Sequence, residues 1–188
     1  MPSQITHLAV AKKYLEKHPG QIKNLQQFLD GNVVPDLATN KAESHCGIRV
    51  ETHDILKWNR EKVNPNKFIE THDMSNDFNK GQYLHLYVDY CYYNDFLLWY
   101  FKKQQNGNQI NADMYETTRR DEVYLQNKYG VNYGNTTLVR ELELLNAGWD
   151  EEYVVKRQQI GYKFFIPYDF GALDNFIEKM ASIEIPAE

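Results

Sequence analysis

Between Tyr83 and Phe101 the chain is apolar over nearly the length of a bilayer span, yet His85, Asp89, Asn94 and Asp95 interrupt the stretch. Ionisable groups at that density argue against a lipid environment. The segment reads instead as a buried helix, apolar nearly all round, running from about residue 78 to 103 as the structural axis of the fold. Residues four apart on a helix share a face, so His85 and Asp89 project together. An imidazole and a carboxylate set in an apolar helix carry a desolvation cost that a partner or a metal must offset. Tyr92 and Phe96 follow on the same face, whereas Asp95 falls about a third of a turn away at ~100° per residue. Of the fourteen tyrosines, those in this segment read as packing residues, with Tyr92 the exception worth testing.

The rest of the chain repeats the helical period. Leu8, Ala11 and Leu15 form one stripe, with His7 at its edge and His18-Pro19-Gly20 as a stop; Ile22, Leu25 and Leu29 form a second. Gly31 is expected to cap that second helix, leaving Val33-Val34-Pro35 extended and Asp36 in a loop. Ser44 and His45 are expected on a loop or at a helix start, and Asn64-Pro65 opens a short helix through about Thr71. Further helices are expected around residues 113–129, 137–146, 151–160 and 170–180, with weak strand alternation only at 162–166. With 188 residues, 42% of them hydrophobic, and no long polar stretch, the expectation is all-α: one compact multi-helix bundle, residues 1–188 forming a single domain.

Composition also narrows the function. Lysine and arginine total 21 against 26 acidic residues, and the basic pairs are scattered, which suits nucleic acid poorly. Cys46 and Cys91 are the only cysteines and form no Cys-x-x-Cys pair, so both are expected as reduced thiols outside any thiolate zinc site. The first residues carry no basic stretch followed by an apolar run, and cytoplasm is the expected location. No lysine-bearing glycine loop for phosphates is present. Ser44, His45 and Cys46 are consecutive, so their side chains are expected to diverge rather than form a nucleophile–base pair.

Other nitrogen and oxygen donors accompany His85 and Asp89: His7 in the first helix, Asp36 after a proline, His45 after a serine. Such a set without thiolates suits zinc, manganese or iron and leaves room for water in the first shell. The blocks Thr6-His7, Phe28 to Gly31 through Pro35-Asp36, Lys41-x-x-Ser44-His45 and Gly81-x-x-x-His85-x-x-x-Asp89 together resemble the zinc-dependent phospholipase C family over roughly residues 1–100. The resemblance implies an all-helical fold. It also implies a metal held by Asp36, His45, His85 and Asp89, a second held by His7 with a bridging Asp89, and Asp36 as the group that accepts a proton from water. One or two zinc ions and a small-molecule or lipid phosphate ester as substrate are the corresponding expectations.

No histidine follows His85, so the downstream histidines with which secreted members of that family hold a third metal have no counterpart. That departure supports an alternative, a noncatalytic helical metal-binding or interaction protein. A third reading uses the His53-Asp54 and His72-Asp73 dipeptides, which invite comparison with HD-domain phosphohydrolases; solvated surface histidines are the expectation for both.

Overall fold

The computed structural model describes residues 2–48, 63–96, 121–148 and 170–187. Within them the chain is helical: α1 (Gln4–Lys17), α2 (Leu25–Leu37), α3 (Lys41–Ser44), α4 (Pro65–Thr71), α5 (Asp77–Cys91), helical residues 121–129 (α6) and 139–148 (α7), and α8 (Phe170–Met180). The described residues contain no strand, only an isolated bridge between Cys46 and Val63. None of their helices is long and apolar enough to cross a membrane. The expected helix over 151–160, the alternating stretch 162–166, His53 and the far end of the axis at 97–103 lie outside the described residues.

Local signals set the ends of these helices. The Ser3 hydroxyl accepts from the Thr6 backbone N–H at 3.2 Å to start α1, and Gly20 at φ +83° follows its end, the left-handed conformation that glycine adopts without penalty. Asn64 caps α4 ahead of Pro65 in its first turn, and Asn76 caps α5 through Phe78 N at 2.8 Å. Residues Gln4 to Ala11 of α1 are buried at every position, so this helix enters the core end-on rather than lying across it. In α8, by contrast, Leu173, Phe176, Ile177 and Met180 are buried at i, i+3, i+4 and i+7, the stripe of a surface helix. Lys17 pairs with Glu178 at 2.7 Å where α8 meets α1.

The main interface joins α2 and α5, and it corrects the expectation for Gly31. That glycine does not end a helix: α2 continues through Val33, Val34 and Pro35 to Leu37. Its purpose is proximity. A Cβ at Gly31 would lie 2.9 Å from the Phe78 carbonyl carbon and nearer still to its oxygen, while one at Gly81 would lie 2.9 Å from Asn32 N and nearer still to Phe28 O. Two glycines facing each other's helix let the backbones touch, which is incompatible with side chains at those points. Asp36 is therefore helical and buried, not on a loop.

The axis helix also differs from the expected single run. α5 ends at Cys91 and a π-helical turn, Tyr92–Phe96, continues it. Tyr92 packs against Phe96, ring centroids 5.3 Å apart, and against Phe176 of α8 at 5.8 Å, so it belongs to an aromatic cluster rather than to the His85–Asp89 face.

Candidate metal centre

Three helices and one helix cap converge on a point beside the α2–α5 crossing. His7 comes from the buried half of α1, Asp36 from the last turn of α2, His45 from the C-cap of α3, and His85 and Asp89 from α5. All five residues are buried, none more than 2% exposed. Every residue that the sequence marks as a ligand is brought to this one place.

The donor atoms have the spacing of a coordination shell. His45 Nε2 lies 3.3 Å from His85 Nε2 and 3.3 Å from Asp89 Oδ2; His85 Nε2 lies 3.7 Å from Asp89 Oδ2; Asp36 Oδ1 lies 4.0 and 3.9 Å from the two Nε2 atoms. Metal–ligand bonds of about 2.0–2.2 Å in a tetrahedron put donors about 3.3–3.6 Å apart. Contraction of Asp36 by a few tenths of an ångström would complete that figure. His7 Nε2 is 3.3 Å from the other Asp89 oxygen, Oδ1, and its ring stacks on His85 with centroids 3.8 Å apart. Two buried groups, Asp36/His45/His85 and His7/His85/Asp89, could each hold a metal ion.

Hydrogen bonding on the outer side leaves the inner atoms arranged as a cation would require. His85 Nδ1 lies 2.9 Å from the Asn32 carbonyl, which can only accept, so Nδ1 carries the proton and Nε2 presents a lone pair. The Ser44 hydroxyl lies 3.0 Å from Pro35 O and 3.3 Å from Lys41 O, acceptors for its own proton, and its oxygen accepts from His45 Nδ1 at 2.8 Å. With that assignment two bare nitrogens face each other beside two carboxylates. His7 Nδ1 and Nε2, Asp36 Oδ1 and both Asp89 oxygens have no hydrogen-bond partner, and buried groups in that state are costly unless an ion completes them. Burial, and after it the His7 ring, push His85 down to about 3, so its imidazole is neutral. Burial opposes ionisation of Asp89, but His45 and His7 hold its carboxyl well below the usual carboxylate value. Neutral imidazoles and ionised carboxylates are the ligand forms of these side chains.

Two supporting residues, Gln4 and Asn32, escaped the sequence reading, and a third, Lys41, entered it only as part of a motif block. Gln4 Nε2 donates to Asp36 Oδ2 at 2.7 Å, which turns Oδ1 toward the cluster. Asn32 supplies the carbonyl that orients His85 and donates its amide to Gly81 O at 3.3 Å. Lys41 contacts Asp36 O and lies 3.5 Å from Asp36 Oδ1. Gln4 shares its buried first turn with Thr6 and His7, so its residue type singles out no role; Asn32 orients His85 through its main chain, which no residue type announces. Ser44 corrects a further expectation, since its side chain and that of His45 meet rather than diverge. The backbone turns out of α3 at that point, at the end of a short helix rather than on a loop or at a helix start. His72, stacked on Phe68 at 3.9 Å and exposed, stays outside the centre.

Neither known protein families, curated proteins nor solved structures contain a match to this chain.

Proposed function

We propose that the chain is a metal-dependent hydrolase of phosphate esters, with a centre similar to that of zinc-dependent phospholipase C and zinc as the metal. The observation that supports catalysis over a purely structural ion is the division of Asp89. Its Oδ2 faces His45 and His85, and its Oδ1 faces His7. A carboxylate so placed can bridge two ions, and the His7 side offers few protein donors, which leaves coordination for a substrate oxygen. When bound, the ions supply Lewis acidity, acidifying water and neutralising charge that grows on phosphoryl oxygens. Asp36 is the proton acceptor in this reading, held by Gln4. Lys41, with its side chain 22% exposed and its Nζ 3.5 Å from Asp36 Oδ1, adds positive charge at the edge of the centre, which favours an anionic ester.

Hydrolysis of a chromogenic phosphodiester by the purified chain with added zinc or manganese tests the proposal. Activity is expected in the parent and should vanish in His85→Ala and Asp89→Asn while the far-ultraviolet helical signal persists. The second reading, a noncatalytic metal-binding protein, is favoured by the burial of all five donors, since structural zinc sites are closed. Bound zinc that raises the melting temperature, with no turnover across a broad panel of esters, would select it.

A further inference from the structure

Seven buried side-chain atoms without partners belong to the centre or its immediate neighbours: the five donor atoms of His7, Asp36 and Asp89 named above, Asn32 Oδ1 and the hydroxyl of Tyr93. Cations between the facing donors would complete His7 Nε2, Asp36 Oδ1 and both Asp89 oxygens. The Tyr93 hydroxyl is not completed in that way, because a neutral phenol is a poor ligand but a good hydrogen-bond donor. It sits one helical step beyond Asp89 on the same axis, in the π-turn, and only 1% of it is exposed. Turns of this kind are frequent at functional sites because they re-aim side chains within a helix. Its neighbour Tyr92 turns into the aromatic cluster with Phe96 and Phe176, while the Tyr93 hydroxyl lies within electrostatic reach of the Asp89 and Asp36 carboxylates, which, after burial, resist its ionisation.

Resting on the hydrolase reading, we propose that the Tyr93 hydroxyl donates a hydrogen bond to a phosphoryl oxygen of the ester bound at the centre. A buried donor without an acceptor is retained where a ligand supplies the acceptor. Cations alone leave this hydroxyl unsatisfied, because they attract its oxygen rather than its proton. An anionic oxygen brought to the same place answers the proton and the cations together, as in sites where fixed donors await developing charge. Tyr93 would be a catalytic residue on this account, acting beside the metal ligands without being one.

The test compares the parent, Tyr93→Phe and Tyr92→Phe. Zinc content is measured by elemental analysis, inorganic phosphate binding to the zinc-loaded chains by calorimetry, and melting temperature without metal. In Tyr93→Phe, zinc content should match the parent, phosphate affinity should fall about tenfold, and phosphodiester turnover should fall ten- to a hundredfold, mostly in kcat. The metal-free melting temperature should hold or rise, because the variant loses an unsatisfied group. Tyr92→Phe should bind phosphate as the parent does. Parent-like phosphate affinity in Tyr93→Phe, or a lowered metal-free melting temperature, overturns the proposal for Tyr93 and leaves the hydrolase reading standing. A parent chain that takes up zinc but neither binds phosphate nor turns over an ester overturns both.

Discussion

Replacing Gly81 with alanine should unfold this protein more easily, although alanine is the better helix former. In an open helical position the exchange contributes about 1 kcal/mol of stability. At Gly81 the new methyl would lie 2.9 Å from Asn32 N and nearer still to Phe28 O, where ordinary contact begins at 3.4 Å. The obstacle is backbone, which cannot rotate aside as a side chain would, so α2 and α5 must part by roughly 1 Å along the main interface of the fold. Overpacking of a core costs about 1–3 kcal/mol where side chains can adjust, and more where they cannot. After the helix-propensity gain, a net loss of about 2 kcal/mol or more remains. For a chain of this size that corresponds to a fall in melting temperature of about 4–8 °C. His85 sits one turn beyond Gly81 and bonds to Asn32 O across the same interface, so zinc affinity should drop about tenfold as well. Thermal melts followed by circular dichroism, with a competitive zinc titration, read both effects. Gly148→Ala serves as the control, because no atom lies within 4 Å of its added Cβ and stability there should hold or rise. A Gly81→Ala protein that melts as high as the control would refute the close-approach argument.

Chelation should lower the melting temperature of the zinc-loaded protein, since an ion at a hundred times its dissociation constant contributes about 2.7 kcal/mol; equal melts before and after chelation would count against any bound ion. Gln4→Ala should weaken zinc binding about ten- to a hundredfold by releasing the outer oxygen of Asp36, and unchanged affinity in a zinc titration would remove Gln4 from its positioning role. Asp77 accepts from Lys23 N at 2.8 Å, Asn24 N at 2.6 Å and Lys80 Nζ at 3.0 Å, so Asp77→Asn should cost about 1–3 kcal/mol at neutral pH. Burial opposes its ionisation, but the Asn24 amide, Lys80 and the Lys23 amide hold its carboxyl below the ordinary 3.8. The stabilisation is therefore present above pH 3.8 and lost as pH falls through the lower folded value. Denaturant melts should show the gap between parent and variant closing only in that acid window.

Much of the architecture was legible because helices write a period into the chain. The stop at His18-Pro19-Gly20, the Asn64-Pro65 start and the α8 stripe all depend on residues within a turn of one another, and each is found where the local pattern puts it. Two of the five candidate ligands, His85 and Asp89, were legible for a different reason, since ionisable groups embedded in an apolar helix must be compensated; His7, Asp36 and His45 were picked out by the order of the motif blocks instead. His85 and Asp89 announce that need within four residues.

What tertiary structure alone decided is every feature that depends on a second segment. Glycine after a helical stripe reads locally as a cap, and only the presence of Phe78 across the interface makes Gly31 a contact point within a continuing helix. Tyr92 and Tyr93 are indistinguishable by residue type, yet Tyr92 packs on Phe176 while the Tyr93 hydroxyl is buried without a hydrogen-bond partner. His45 and His85 are forty residues apart, and no periodicity states that their Nε2 atoms will meet at 3.3 Å. The chain specifies which side chains cannot be left alone in an apolar interior; the packing of α2 on α5 settles which partners they meet, since that distance is a property of two backbones and not of either one.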